Sequence, residues 1–186
     1  MWSSKDIACI IFLAVLGLVS TALVVQMAGL ISGIPGANYV FTIVLAVQTS
    51  FSFLAYEGRR WRFFVQFSLF TFMVIPTYLG GPPFDVPGRI HFFITGFLAD
   101  LVINSFYETF KKREKLDWWS VSGALLFWVM LPFSALLIRP LFYSPEAVAL
   151  FANVVLLLLP VIIAESIAGG YLGYRIYLRV RKDSFK

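Results

Sequence analysis

The chain has 186 residues, of which 60% are hydrophobic and 13% charged, and its formal net charge is +5. A charged fraction about half that of an ordinary soluble domain excludes a disordered chain, and a soluble globule of this size could not cover so much apolar surface. The single cysteine excludes a disulfide framework or a thiolate metal cluster.

A helix crosses the hydrocarbon core with about 20 mostly apolar residues, and six such runs follow one another. The first is Ile7 to Ile31, closed by the Ser-Gly-Ile-Pro-Gly turn at Ser32 to Gly36. Tyr39 to Tyr56, Trp61 to Leu79, Ile90 to Phe110 and Trp118 to Ile138 follow, and Ala147 to Tyr177 is the sixth. That last run exceeds one crossing and is expected to tilt or to extend beyond the bilayer. Stretches such as Val154 to Leu159 do not alternate, which excludes the dyad pattern of a barrel strand. The expected fold class is an all-α integral membrane protein, a six-transmembrane-helix bundle forming a single polytopic domain over residues 1–186.

The loops set the orientation. Thirteen of the 15 basic residues fall on the side that holds both termini, including Arg59, Arg60, Arg62, the 111–115 cluster and the C-terminal tail. Only Arg89 and Arg139 fall on the other. The positive-inside rule then makes both termini cytoplasmic in a cell-membrane protein, and explains the basic balance without a nucleic-acid partner. The first run is too long for a signal-peptide core and is expected to be retained. The short loops leave no room for a nucleotide-binding module, so any ATPase must lie on another chain.

Ionisable groups at membrane depth are costly and therefore informative. Asp100 lies in the fourth run and Glu165 in the sixth. Helical spacing puts Gly96, Asp100, Asn104 and Tyr107 on one face, and Glu165, Gly169 and Gly173 on another. Small residues on such a face let a second backbone approach closely. No Lys or Arg shares their depth. Each acid is then protonated, held by Asn, Ser, Thr or Gln, or paired with a bound cation. Two readings stay open for these three polar groups: a proton, sodium or substrate site, or a hydrogen-bonded clasp between helices.

A second constellation lies on the outer side. Asn38 and Tyr39 end the first loop. Tyr78 and Arg89 flank the loop Gly80-Gly81-Pro82-Pro83-Phe84-Asp85-Val86-Pro87-Gly88, whose prolines and glycines predict a compact connection. Arg139 and Tyr143 lie between the fifth and sixth runs, with Asn153 one to two turns deeper. The two arginines could grip a carboxylate or phosphate on a solute, or else pair with Asp85 and Glu146 or with lipid phosphate. His91, the only histidine, is expected at the outer interface, and multi-histidine metal chemistry is out. No nucleophile elbow, zincin, Walker A or paired-cysteine motif occurs. No enzyme activity, cofactor or metal site is expected.

Six short spans, the Gly-Ile-Pro-Gly loop after the first, and the stretch from Gly88-Arg89 to Thr95-Gly96-Phe97-Leu98-Ala99-Asp100-Leu101 resemble the substrate-binding S component of energy-coupling-factor (ECF) transporters. The likeness spans essentially the whole chain in architecture, with a GxxxD-type element at Gly96 to Asp100. It implies an outward-facing pocket for a vitamin-like solute, and docking on a coupling membrane protein that carries ATPase subunits. The pocket candidates by topology and chemistry are Asn38, Tyr39, Tyr78, Arg89, Arg139, Tyr143 and Asn153. The metal-transporting branch is not expected, because the N-terminal stretch lacks histidines. The family's first helix often carries an AxxxA docking element. Here Ala8, Ala14, Gly17 and Thr21 are the docking candidates, with Ser4/Ala8 and Gly17/Thr21 supplying small-xxx-small spacing. Competing expectations are a structural or assembly subunit of a membrane complex and, third, a small intramembrane lipid-modifying enzyme.

Overall fold

A computed structural model describes residues 2–33, 37–79 and 81–183, without the side chains of 28–30, 37, 38 and 183. The described residues contain helices and no strand. Helix α1, Ser4–Ser20, begins with a capping box: Ser3 Oγ accepts from the Asp6 N–H at 3.1 Å, and Asp6 accepts from the Ser3 N–H at 3.0 Å. This satisfies two of the donors a helix start leaves unpaired. The helix runs on through a π-helical segment, Thr21–Val25, into α2, Gln26–Ser32. A 3-10 turn, Ala37–Phe41, leads into α3, Thr42–Tyr56. Then follow α4, Arg62–Val74; α5, Ile90–Ser105; α6, Tyr107–Lys112; and α7, Leu116–Ile138. A 3-10 turn at Arg139–Leu141 joins α7 to α8, Pro145–Asp183.

Five of the helical stretches are long and apolar enough to cross a membrane. The third predicted run, Trp61 to Leu79, is not. α4 has 13 residues and at 1.5 Å per residue reaches about 20 Å, short of a hydrocarbon core of about 30 Å. The run Trp61 to Leu79 stops being helical at Ile75 because the chain turns there. Phe84 N–H donates back to Ile75 O at 2.8 Å, and the Thr77 hydroxyl to Val74 O at 2.8 Å. α8, by contrast, has 39 residues and about 58 Å of length, more than one crossing.

Packing follows the small residues. The α8 glycine face lies against α3, which runs in the same direction: a Cβ at Gly169 would stand 2.6 Å from Ile43 O, and one at Gly173 would collide with Val47 O. Ser50 Oγ donates to Gly170 O at 2.8 Å across the same seam. α7 covers the other side, with Val121 Cα 2.9 Å from the Cβ position of Gly170. Between these helices and α4 lies an aromatic core. Phe53 stacks on Phe63 at 4.2 Å, and Phe127 meets Phe63 and Phe67 edge-on at 5.2 and 4.8 Å. Such pairs add stabilisation beyond the area they bury.

The bundle has two chemically different ends. The basic end gathers the starts of α1, α4 and α7 with the ends of α3, α6 and α8. There Arg59 and Arg62 pair with Asp6 at 2.9 and 3.1 Å, and the Arg62 guanidinium lies 5.5 Å from the Trp2 ring centre. Asp6, which carries no signal in the sequence pattern beyond a helix-start acid, is thus the carboxylate that ties α1 to the α3–α4 connection. The loop end holds residues 75–89 and the α7–α8 turn.

Candidate functional site

The two deep acids occupy separate places and make the same kind of contact. Asp100 on α5 is fully buried and accepts from the backbone N–H groups of Trp61 and Phe64 at 2.8 and 2.9 Å. Those are the N-cap residue and third residue of α4, whose own cap has no side-chain hydrogen bond. Glu165 on α8 accepts from the Ile43 N–H, the second residue of α3, at 3.0 Å. Each carboxylate therefore caps the N-terminus of a neighbouring helix, where free N–H groups and the helix dipole favour negative charge. This corrects the choice framed from the sequence: the principal donors are backbone amides of other helices. Asn104 contributes one side-chain bond, donating from Nδ2 to Asp100 at 3.1 Å while its Oδ1 is buried without a partner.

At the loop end, Arg89 is also spoken for. Its side chain is buried, Nη1 donates to the carbonyls of Pro82 and Asp85, and Nη2 lies within 3.1 Å of those of Thr77, Leu79 and Gly81. The planar five-donor fork of arginine suits this work. Five carbonyls of the described loop residues converge on it, so Arg89 shapes the loop, while its Nε is buried without a partner. Tyr143 closes the same loop from outside: its hydroxyl lies 2.7 and 2.6 Å from the two Asp85 oxygens and donates to that carboxylate. Asp85 also accepts from the Gly88 N–H at 3.1 Å. A side chain at Gly88 would collide with both Asp85 and Tyr143. Burial and this hydrogen bond push the Tyr143 phenol up to about 12.

Arg139 stands apart. Its guanidinium carbon lies 3.9 Å from the Phe151 ring centre and 5.4 Å from that of Tyr143. Among the described residues no carboxylate comes within ion-pair distance of it, and its Nε is buried without a partner. Phe151 in turn faces Tyr39 at 6.5 Å. Tyr39 lines an interior cavity of about 50 Å³, bounded by Thr21 and Val25 of the π-helical segment, Thr42, Leu79 and several aromatic rings. A second cavity of about 30 Å³ shares Leu45, Phe67, Phe70 and Trp128 with it and adds Gln48, Thr49 and Gln66. Gln48 Nε2 donates to Leu13 O, while its Oε1 is buried without a partner. π-helical turns recur at functional sites, and the one between α1 and α2 supplies two of the cavity walls.

The remaining candidates scatter. Tyr78 is 76% exposed, and Asn153 faces outward. The Asn38 side chain and residues Ile34, Pro35 and Gly36 of the first loop lie outside the described residues. His91, expected at the interface, is buried with its ring 4.3 Å from that of Phe92. Of the docking candidates, Ala14, Gly17 and Thr21 face into the bundle, where Gly17 receives Gln48 and Phe70; Ala8 alone is exposed. The outward face of α1 carries instead Ile7, Ile11, Phe12, Val15, Leu16 and Val19. The cavity walls Thr21, Gln48 and Trp128 escaped the sequence reading as solute contacts, since a Thr, Gln or Trp within an apolar run carries no distinguishing pattern.

Fold and site together have the build of a helical membrane protein with a small, mostly apolar chamber inside. No family model, curated protein or solved structure matches the chain.

Proposed function

We propose that this chain is the solute-binding membrane subunit of an ATP-driven importer, inserted in the cell membrane with both termini cytoplasmic. The observation that carries this reading is the cavity lined by a π-helical turn, Tyr39, Leu79 and Trp128, with Phe151 packed on Tyr39 and Arg139 packed on Phe151 behind it. A chamber of about 50 Å³ is far below the roughly 300–1,000 Å³ of a pocket for a drug-sized ligand. On this reading the aromatic walls part to admit a solute.

The lining indicates the solute. Flat aromatic walls suit a small heterocyclic body. The Tyr39 hydroxyl and, in the adjoining smaller cavity, the Gln48 Oε1, buried without a partner, offer polar contacts. Arg139, outside the cavity lining and stacked on Phe151, would offer a cation to a carboxylate or phosphate that extends past that ring. The test is to extract the protein gently from its native membrane, denature it, and identify released small molecules by mass spectrometry. A stoichiometric anionic heterocycle, lost in Tyr39→Ala and Arg139→Gln, supports the reading, as does co-purification of a membrane coupling protein with ATPases. A protein that releases no solute and leaves its membrane with a stable, ATPase-free partner would sink it in favour of an assembly subunit.

A further inference from the structure

We propose that the groove between α6 and the start of α7 holds the phosphate headgroup of an anionic phospholipid. This groove, about 350 Å³ in volume, is lined by Thr109, Phe110, Arg113, Lys115, Trp118 and Ser122. It lies at the basic end of the bundle, remote from the interior cavity. Its two cations form no ion pair, and neither they nor the two hydroxyls form a side-chain hydrogen bond with the described residues. Glu108, Glu114 and Asp117 are close in sequence, but none of them lines it. Glu114 sits in a left-handed turn (φ 57°) that places Arg113 and Lys115 around it.

Two cations and two hydroxyls around one open groove supply the donors that a phosphate diester accepts. The apolar part decides between a lipid and a free phosphate. Trp118 is 62% exposed on the outer face of α7, with Ser122 and Leu126 below it at helical spacing. Phe106 and Val102 are exposed on the α5 side. An acyl chain leaving the groove would run down this seam, and an aromatic ring at headgroup depth is where interfacial tryptophans sit. Basic pockets on the cytoplasmic side of membrane proteins bind anionic headgroups by the same combination.

The purified full chain in a neutral detergent is titrated with phosphatidylglycerol or phosphatidylcholine and its bound lipid counted by native mass spectrometry. One phosphatidylglycerol should be retained at least tenfold more strongly than phosphatidylcholine. The Arg113→Gln/Lys115→Gln variant should lose that preference, and Ser122→Trp, which fills the groove without changing charge, should lose the bound lipid. Arg179→Gln/Lys182→Gln, which removes equal charge elsewhere at the same end, should behave as wild type, with thermal melts confirming that each variant is folded. Equal retention of both lipids, or equal loss in the control variant, overturns the proposal. Displacement of the lipid by glycerol 3-phosphate at equal concentration would assign the groove to a free phosphate instead, and overturns it too.

Discussion

Asp100 on α5 accepts the backbone N–H of Phe64 on α4 at 2.9 Å, so a carboxylate in one helix caps the start of another. Glu165 repeats the arrangement for α3 through Ile43 at 3.0 Å. The pair explains how two acids that form no ion pair with the described residues are accommodated in the bundle. Each meets unpaired N–H donors that would otherwise be stranded in a medium with no water to satisfy them.

Removing the Asp100 cap leaves the Trp61 and Phe64 donors unpaired. Asp100→Ala is expected to destabilise the protein by about 2–3 kcal/mol, the range for losing a charge-assisted buried hydrogen bond. Thermal unfolding in detergent, read by circular dichroism, checks this. A folded, equally stable Asp100→Ala protein would falsify the capping role.

For Glu165 the acceptor matters more than the charge. Glu165→Gln keeps an oxygen for the Ile43 N–H and should cost less than about 1 kcal/mol, whereas Glu165→Ala should cost about 1–2 kcal/mol. A proton-carrying or sodium-binding role predicts a different pattern: Gln would be as damaging as Ala to uptake while leaving the melting temperature unchanged.

The α3–α8 seam depends on closely approaching backbones. Gly173→Leu would drive a side chain into Val47 O, and overpacking of this kind typically costs about 1–3 kcal/mol. Disulfide trapping between cysteines placed on the two helices should slow markedly in the variant. Unchanged trapping and stability would mean that the seam is looser than the structure shows.

Arg89→Lys tests the loop. An ammonium has three donors in place of a planar fork of five, and cannot reach carbonyls on both sides of the turn together. The loop should become protease-sensitive, with a loss of about 2–3 kcal/mol from carbonyls left buried and unpaired. If Arg89 instead gripped a solute, Arg89→Lys would weaken solute binding in a protein whose loop remained protected.

The Tyr143–Asp85 contact should show a pH dependence of known sign. The phenol is raised from 10.0 to about 12, first by burial and then by the hydrogen bond to Asp85. A raised value means that the contact stabilises fully below about pH 10 and is lost as pH rises through about 12. Tyr143→Phe should therefore melt below wild type at pH 8, with the gap closing between pH 10 and 12. A gap that persisted unchanged to pH 12 would show that the hydroxyl proton is not what holds the loop.

Helical class, apolar runs and the inward stripes of Asp100 and Glu165 were legible in the sequence, because a 3.6-residue period and a charge count carry that information directly. The early end of α4 was legible only in Pro76, which bars a helix from running on past Ile75, and the hydropathy of Trp61 to Leu79 masked it. What the sequence did not show is the loop beyond that proline, whose carbonyls converge on Arg89, ten positions past the run. The partners of the buried acids were equally hidden. Every residue but proline carries a backbone N–H, so no side-chain pattern announces which helix start a carboxylate will meet. Composition alone determined that this chain belongs among apolar helices in a membrane and which few polar residues must be accommodated there. Only the tertiary structure decided that Asp100, Glu165 and Arg89 meet backbone groups while Arg139 stacks on aromatic rings with no carboxylate beside it among the described residues, because it is the packing of distant segments that assigns each donor and acceptor its partner.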